Sequence, residues 1–166
     1  MLITFDKFSF YQNGGIVFYS NEFYPGEFIV TGLHPLPTGS DCTWNLGTPG
    51  QIDINVMQSN PQSASFEIRR ESCGLFYLKQ LCLGGANESK SYSVVGRSNG
   101  TIVFDDEGGL GGGGPNEITL CHGQTAIDTL YITFNSNPQF MNIYRIKNLE
   151  IELPPTPPGG LRVSAD

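Results

Sequence analysis

The chain has 166 residues, of which 16 are acidic and 9 basic, so its formal net charge is −7. Its 21 glycines and 11 prolines argue against a helical bundle, because inside a helix each glycine costs about 1 kcal/mol and each proline about 3 kcal/mol. The acidic excess repels nucleic-acid phosphates, and no apolar run approaches the roughly 20 residues of a membrane span. Neither nucleic-acid binding nor membrane insertion is therefore expected.

Short segments of alternating apolar and polar residues follow one another along the chain. The clearest is 128–134, where Leu130, Ile132 and Phe134 fall on one face of a predicted strand. Further strands are predicted at 2–5, 15–19, 27–32, 51–57, 64–70, 75–83, 90–97, 100–105, 117–121 and 142–153. About ten short antiparallel strands at this spacing predict an all-β fold, a β-sandwich of the jelly-roll type.

Turn residues between these segments indicate how the strands connect. Asn99-Gly100 stands between two alternating runs and predicts a two-residue hairpin turn of type I′. Residues 108–114 read Gly-Gly-Leu-Gly-Gly-Gly-Gly and lack the lysine of a phosphate-binding loop. Their glycine content predicts a mobile loop between strands 100–105 and 117–121.

The last predicted strand changes its pattern along its length. Tyr144 and Ile146 have one parity, whereas Leu149 and Ile151 have the other. A β-bulge near residues 147–148 is therefore predicted, because one extra residue would return all four side chains to the same face.

The composition changes after Leu153. We expect residues 1–153 to form the jelly-roll module and residues 154–166 to be a Pro/Gly-rich linker toward a following module. Residues 157–164 (Pro-Pro-Gly-Gly-Leu-Arg-Val-Ser) resemble the opening of a fibronectin type III domain. This resemblance implies a larger multimodular protein, in which neighbouring domains of the same chain are partners.

The four cysteines are Cys42, Cys73, Cys82 and Cys121, and none forms a Cys-x-x-Cys pair typical of zinc or redox sites. An even number in a glycine-rich chain predicts disulfides and an oxidising compartment, so the protein is expected to be secreted or on the cell surface. Three pairings are possible, and Cys42–Cys73 with Cys82–Cys121 is the one we favour. The alternative is four reduced, buried thiols.

The sequence contains no pattern typical of a catalytic site. Of its two histidines, His34 lies in a predicted loop and His122 follows Cys121, so these neighbours on a strand would point to opposite faces. A nucleophile elbow and a zinc-protease motif are both lacking in the sequence. The protein is expected not to be an enzyme, with a small glycosidase or lyase that uses two carboxylates as a less favoured alternative.

Acidic residues give two candidate sites for a structural Ca²⁺, an ion that prefers oxygen ligands. The first is the cluster of Asp105, Asp106 and Glu107 beside the glycine run, for which a solvated acidic turn is the alternative. The second is Asp6 with Glu150, because jelly rolls often place the first and last strands side by side.

Aromatic residues beside turns give the candidate glycan-binding site. Sugar recognition uses aromatic faces with planar polar groups nearby. Tyr24 lies in Tyr-Pro-Gly, Trp44 precedes Asn45, and Tyr11 lies in Tyr-Gln-Asn-Gly. For Trp44 the alternative is a place in the core.

Four segments in order resemble carbohydrate-binding-module-like jelly-roll domains of secreted fungal and bacterial proteins. They are Ile-Thr-Phe-Asp at 3–6, Ser-Val-Val-Gly-Arg-Ser-Asn-Gly-Thr-Ile-Val at 93–103, Ile-Asp-Thr-Leu-Tyr-Ile-Thr at 127–133 and Ile-Lys-Asn-Leu-Glu-Ile at 146–151. The resemblance implies a β-sandwich and glycan binding. Lys7 and Lys147 stand where such domains have aspartates, which removes carboxylates from the Asp6/Glu150 calcium site.

Together these features predict a non-catalytic extracellular module that binds a glycan or cell-surface polysaccharide, or that attaches a larger protein to a surface. The alternative is a structural or assembly spacer of a surface or fibre protein, without a ligand. An exposed apolar patch for neighbouring chains would favour this alternative.

Overall fold

A computed structural model describes residues 2–3, 8–10, 16–19, 28–32, 42–45, 51–56, 63–70, 72–86, 90–111, 117–136 and 142–155. Thirteen strands and no helix lie within these residues. The strands are β1 (Leu2–Ile3), β2 (Phe8–Phe10), β3 (Ile16–Tyr19), β4 (Phe28–Gly32), β5 (Cys42–Asn45), β6 (Gln51–Val56), β7 (Ser63–Arg70), β8 (Phe76–Ala86), β9 (Lys90–Ser98), β10 (Thr101–Leu110), β11 (Glu117–Ile127), β12 (Thr129–Ser136) and β13 (Asn142–Glu152).

The described strands form two antiparallel sheets. The six-stranded sheet has the order β11-β8-β13-β6-β5, and β1 pairs with β13. The seven-stranded sheet has the order β10-β9-β12-β7-β4-β3-β2. From β7 onward, each connection except the β9–β10 hairpin leads from one sheet to the other. The predicted all-β sandwich is confirmed, although the strands are more numerous than predicted and several are longer.

The apolar core lies between the two sheets, because strands such as β7 and β12 bury alternate residues on the side that faces the other sheet. The predicted face of β12 is confirmed, since Leu130, Ile132 and Phe134 are fully buried. Phe28 meets Phe76 of the opposite sheet edge-to-face, with 5.2 Å between the ring centroids. The buried members of this cluster are Phe28, Phe66, Ile68, Phe76, Leu78, Leu81, Leu83, Val94, Leu110, Ile127, Leu130, Ile132, Phe134, Ile146, Leu149 and Ile151.

The predicted bulge in β13 is confirmed. The register of β13 against β8 shifts between Lys147 and Glu150, and Asn148 has a positive φ of 52°. Ile146 and Leu149 are consequently both buried although their spacing is odd. The bulge thus keeps the second half of the strand against the core.

The predicted type I′ turn is also confirmed. Ser98 pairs with Thr101, and the two turn residues have φ values of 49° for Asn99 and 75° for Gly100. Asp128, between β11 and β12, accepts a hydrogen bond from the Asn99 N–H at 2.5 Å and one from the Thr129 hydroxyl at 2.8 Å. Its own N–H donates to the Arg97 carbonyl at 2.9 Å. Asp128 therefore stabilises both the β9–β10 hairpin and the connection from β11 to β12, which leads from one sheet to the other.

The prediction of a mobile loop at 108–114 is wrong for the first residues of that range. β10 continues to Leu110, which is fully buried, and Gly108 pairs with Tyr92 of β9. The glycine is needed because a Cβ at Gly108 would lie 2.6 Å from the Tyr92 hydroxyl oxygen. Residues 112–116 are outside the described residues. The prediction also omitted β2 and β5, two strands of only three and four residues.

The predicted Cys82–Cys121 disulfide is wrong, because both residues are free thiols. In the register of β8 and β11, Cys82 lies opposite Thr119 and not opposite Cys121. The register shifts beyond Leu120, and the Cys121 thiol donates to the carbonyl oxygen of Lys79.

No disulfide joins two of the described cysteines. Cys82 is buried, as the reduced alternative requires, but Cys73 and Cys121 are exposed. The side chain of Cys42 is outside the described residues, so the Cys42–Cys73 pairing stays a prediction.

We expect Gly96→Ala to lower the free energy of unfolding by about 1–3 kcal/mol, the usual range for overpacking. A Cβ at Gly96 would lie 2.3 Å from the Phe104 ring. Gly123→Ala is the matched control, since its Cβ would meet only the Lys79 side chain at 3.4 Å, and a change within about 0.5 kcal/mol is expected. Urea unfolding measures both variants, and equal effects would contradict the close packing at Gly96.

Asp128→Ala removes the acceptor of two hydrogen bonds, so we expect a loss of about 1–3 kcal/mol in the free energy of unfolding. The Asn99 amide should also exchange its hydrogen faster. The control is Asp105→Ala, which removes an exposed carboxylate and should change stability by about 0.5 kcal/mol or less. An unchanged exchange rate at Asn99 in Asp128→Ala would refute this role of Asp128.

Candidate functional site

The outer side of the seven-stranded sheet carries a regular array of polar side chains around one tyrosine. Because β12 buries its even-numbered residues, its odd-numbered residues point outward. Strand register then sets three rows, with Tyr131 between Val95 and Glu67, Thr133 between Ser93 and Ser65, and Thr129 between Arg97 and Arg69. We call this surface the Tyr131 face; its members are Ser65, Glu67, Arg69, Ser93, Val95, Arg97, Thr129, Tyr131 and Thr133.

Four side chains of the Tyr131 face form a connected polar chain. The Arg97 guanidinium lies over the Tyr131 ring, with 5.4 Å from Cζ to the ring centroid. The Tyr131 hydroxyl hydrogen-bonds to Glu67, whose Oε1 is 3.2 Å from the Nε of Arg69. Burial first, and then the hydrogen bond to Glu67, raise the pKa of the Tyr131 phenol. The phenol is therefore the donor in its hydrogen bond to the Glu67 carboxylate.

The next row of the Tyr131 face consists of hydroxyl groups. Ser65 Oγ and Thr133 Oγ1 are 3.2 Å apart, and Ser93 is paired with Thr133 on the other side. Hydroxyls donate and accept, so this row offers both halves of a hydrogen bond to a polar ligand. The surface is held by the β7–β12–β9 ladder and does not depend on a loop.

The predicted acidic cluster at 105–107 does not form a single ligand set. It lies in β10, not in a turn, so its side chains alternate between the faces of a strand. Asp105 and Glu107 are exposed on the outer side, whereas Asp106 is half-buried and turns inward. Among the described residues, no three His, Cys, Asp or Glu side chains form a group able to hold a metal.

The second predicted calcium site stays a prediction. Glu150 is exposed on β13, opposite Leu2 of β1, so the first and last strands are indeed neighbours. Asp6 is outside the described residues.

Asp106 contacts a residue that the sequence analysis did not connect with it. Its carboxylate contacts Nε2 of His122, and the His122 ring stacks on Phe104 with centroids 3.7 Å apart and planes 2° apart. The exposed side-chain fractions are 22% for His122 and 31% for Asp106. Phe104 and Asp106 belong to β10 and His122 to β11, so these contacts join the end strands of the two sheets. As predicted, His122 and Cys121 differ in direction, with Cys121 exposed.

Tyr92 completes this half-buried cluster at the β10–β11 edge. Its ring packs over Gly108, and it borders the core together with Phe104. Burial, and to a lesser extent the charge of Asp106, raise the pKa of the Tyr92 phenol. The cluster thus holds its titratable groups between the sheets rather than on the outer surface.

The predicted glycan-binding residues are placed only in part. Trp44 and Asn45 lie in β5, opposite Ile54 and Asp53, in the six-stranded sheet. Their side chains, and Tyr11 and Tyr24 altogether, are outside the described residues. The structure therefore leaves these four assignments as predictions and places Tyr131, which the sequence analysis did not select, on the other sheet.

The outer side of the six-stranded sheet has a different character. Lys79 pairs with Glu152 at 2.7 Å and Lys147 with Glu117 at 2.6 Å. The hydrogen bond and charge of Glu152 raise the pKa of Lys79, and Lys79 lowers the pKa of Glu152. These groups already satisfy one another at the surface.

Within the described ranges, no helical segment has the length and hydropathy that a membrane crossing requires.

A scan against models of known protein families and a search of curated proteins find no match for this sequence. Among solved structures, the chain is similar to a carbohydrate binding module of family 29, with 20% identity and a TM-score of 0.41 over 86% of this chain and 89% of that one. It is also similar to an agarase, with 12% identity and a TM-score of 0.45, over 76% of this chain but only 25% of the agarase.

A third similar structure is the enzymatically active domain of tailspike protein 4 from bacteriophage CBA120. Its identity is 17% and its TM-score 0.33, over 92% of this chain and 18% of that one. Carbohydrate-binding modules, which the sequence motifs resemble, are thus among the solved structures to which this chain is similar. At these identities and TM-scores, none of the likenesses bears on function.

The raised pKa of Tyr92 predicts a loss of stability at alkaline pH. The folded protein holds this proton more tightly than the unfolded chain, whose tyrosines titrate near about 10, so stability falls as the pH rises from there through the folded pKa. Tyr92→Phe should reduce the slope of unfolding free energy against pH above about pH 10. Asp106→Asn should reduce it less, because burial of Tyr92 persists. An unchanged slope in Tyr92→Phe would contradict this.

Proposed function

We propose that this chain is a non-catalytic carbohydrate-binding module and that the Tyr131 face is its glycan-binding surface. The observation that carries the proposal is the arrangement of Tyr131 with Arg97 and Glu67 beside a row of hydroxyls, on the rigid centre of a sheet. A sugar presents apolar ring faces and many hydroxyls, and it is recognised by planar groups together with well-placed donors and acceptors.

Each part of the Tyr131 face has a role in this proposal. The guanidinium lies over the Tyr131 ring and offers its own planar face for the packing of a sugar ring. The Glu67 carboxylate accepts hydrogen bonds from sugar hydroxyls, and Ser65 and Thr133 both donate and accept. Because three neighbouring strands hold these residues in register, little backbone ordering is needed on binding.

The carboxylates of Glu67 and Asp105 are too far apart to act as a hydrolytic pair. Asp105, Val95, Tyr131 and Glu67 are successive partners across four strands. The two carboxylates are therefore three strand spacings apart, roughly 14 Å between Cα atoms. A glycosidase needs its two carboxyl groups about 5 to 9.5 Å apart.

We further propose that the module works outside the cell, as a secreted or surface-attached part of a multimodular protein. The proline-rich composition of residues 154–158 supports a spacer to a following module. Binding a glycan or cell-surface polysaccharide would then attach the larger protein to its target.

Tyr131→Ala should weaken glycan binding roughly tenfold or more, because it removes both the ring and the support for Arg97. A glycan array identifies ligands, and calorimetry measures the dissociation constants. Tyr77→Ala is the matched control, because Tyr77 is a half-buried tyrosine of β8 in the other, six-stranded sheet. The Tyr77→Ala variant should bind the glycan as tightly as the wild-type protein.

Trp44→Ala and Tyr24→Ala test the alternative surface that the sequence predicts. Loss of binding in those variants, with Tyr131→Ala unaffected, would move the site away from the Tyr131 face. If the folded wild-type protein binds no glycan on the array, the chain is better described as a structural spacer.

A further inference from the structure

We infer that the ligand of the Tyr131 face is an acidic glycan whose sugar carboxylates pair with Arg97. This inference rests on the proposed carbohydrate-binding function and adds the chemical class of the ligand. It starts from Arg97, whose charge has no acidic partner among the residues that the structure describes.

The guanidinium of Arg97 makes no ion pair in the part of the chain that the structure describes. Its Nε is buried and has no hydrogen-bond acceptor there. Buried donors of this kind are rare in folded proteins, because an unsatisfied N–H loses its hydration without compensation. A ligand carboxylate would pair with the terminal nitrogens of the guanidinium rather than with the buried Nε.

Arg69 shows the contrast within the same row. Its Nε is paired with Glu67 at 3.2 Å, so its charge is partly compensated. Arg97 instead lies against the Tyr131 ring, which holds the guanidinium in place without using its hydrogen-bonding edge. A positioned guanidinium matches a carboxylate with two parallel hydrogen bonds, so a uronic-acid carboxylate is a suitable partner.

The row geometry offers two positive groups to one polysaccharide chain. Arg97, Thr129 and Arg69 are partners across β9, β12 and β7. The two arginines are therefore two strand spacings apart, roughly 10 Å between Cα atoms. Charges on two separate sugars of one chain can reach both arginines.

Asp105 and Glu107 restrict where such a ligand can lie. They are exposed on β10, opposite Val95 and Ser93, whereas the β10 partner of Arg97 is the apolar Ile102. Their charges repel an anionic chain from the β10 side. Within the row, Glu67 pairs with Arg69 and the Asp128 carboxylate accepts from Thr129, so Arg97 is the favourable position. Because the chain has a net charge of −7, an acidic ligand can bind only where positive side chains are set apart from the acidic ones.

The test compares acidic polysaccharides with neutral forms of the same backbone. Alginate, hyaluronan and polygalacturonate are each measured beside the corresponding polymer whose carboxylates have been reduced to alcohols. We expect at least one acidic polymer to bind at least tenfold more tightly than its reduced form, with an affinity that falls as salt is added. Arg97→Ala should abolish that difference, and Arg97→Lys should restore it only in part.

Lys79→Ala is the matched control, because it removes one exposed positive charge from the other sheet and should leave the affinity unchanged. Thermal unfolding of each variant confirms that it is folded. Equal binding of acidic and reduced polymers, or binding unaffected by Arg97→Ala, would overturn this inference and leave the proposed glycan binding intact. Arg97-dependent binding of a sulfated galactan alone would overturn the assignment to carboxylates. No binding to any of these polymers would overturn this inference, whereas no binding on the glycan array would overturn the proposed function as well.

Discussion

Burial of one face of β12 between the two sheets determines most of what this molecule presents to solvent. Leu130, Ile132 and Phe134 are fully buried, and β12 is hydrogen-bonded on both sides. A strand with such a buried face cannot shift by one residue without exposing that face. Tyr131 and Thr133 are therefore committed to the outer side. The rows of β7 and β9 follow from the same register, so the composition of the Tyr131 face is a direct result of core packing.

At the edge between β10 and β11, packing depends on glycines, whose lack of a side chain makes room for aromatic rings. Gly96 leaves room for the Phe104 ring, and Gly108 leaves room for Tyr92. Phe104 in turn supports His122, whose other contact is with Asp106. The two sheets are therefore joined at this edge by ring stacking and a polar contact as well as by aliphatic packing.

Features that depend on neighbours in sequence were predictable, whereas those that depend on strand order were not. The Asn99-Gly100 turn and the β13 bulge follow from local residue types and parity, and both are present. The sequence could not show that Tyr131 lies beside Glu67, or that Asp106 meets His122 of the other sheet, because pairing of distant strands decides these contacts. The prediction of a mobile loop at the glycines that end β10 was wrong for the same reason, because Gly108 is required by Tyr92 on a neighbouring strand.

The acidic residues of β10 have a consequence for the behaviour of the protein at high concentration. β10 is the last described strand of its sheet, so its outer backbone groups can pair with another chain. Ile102 nearby is 50% exposed and would favour such contact. Two copies that approached edge to edge would, however, bring Asp105 and Glu107 of one close to those of the other. Charge at this edge therefore protects the sheet against growing from one molecule into the next.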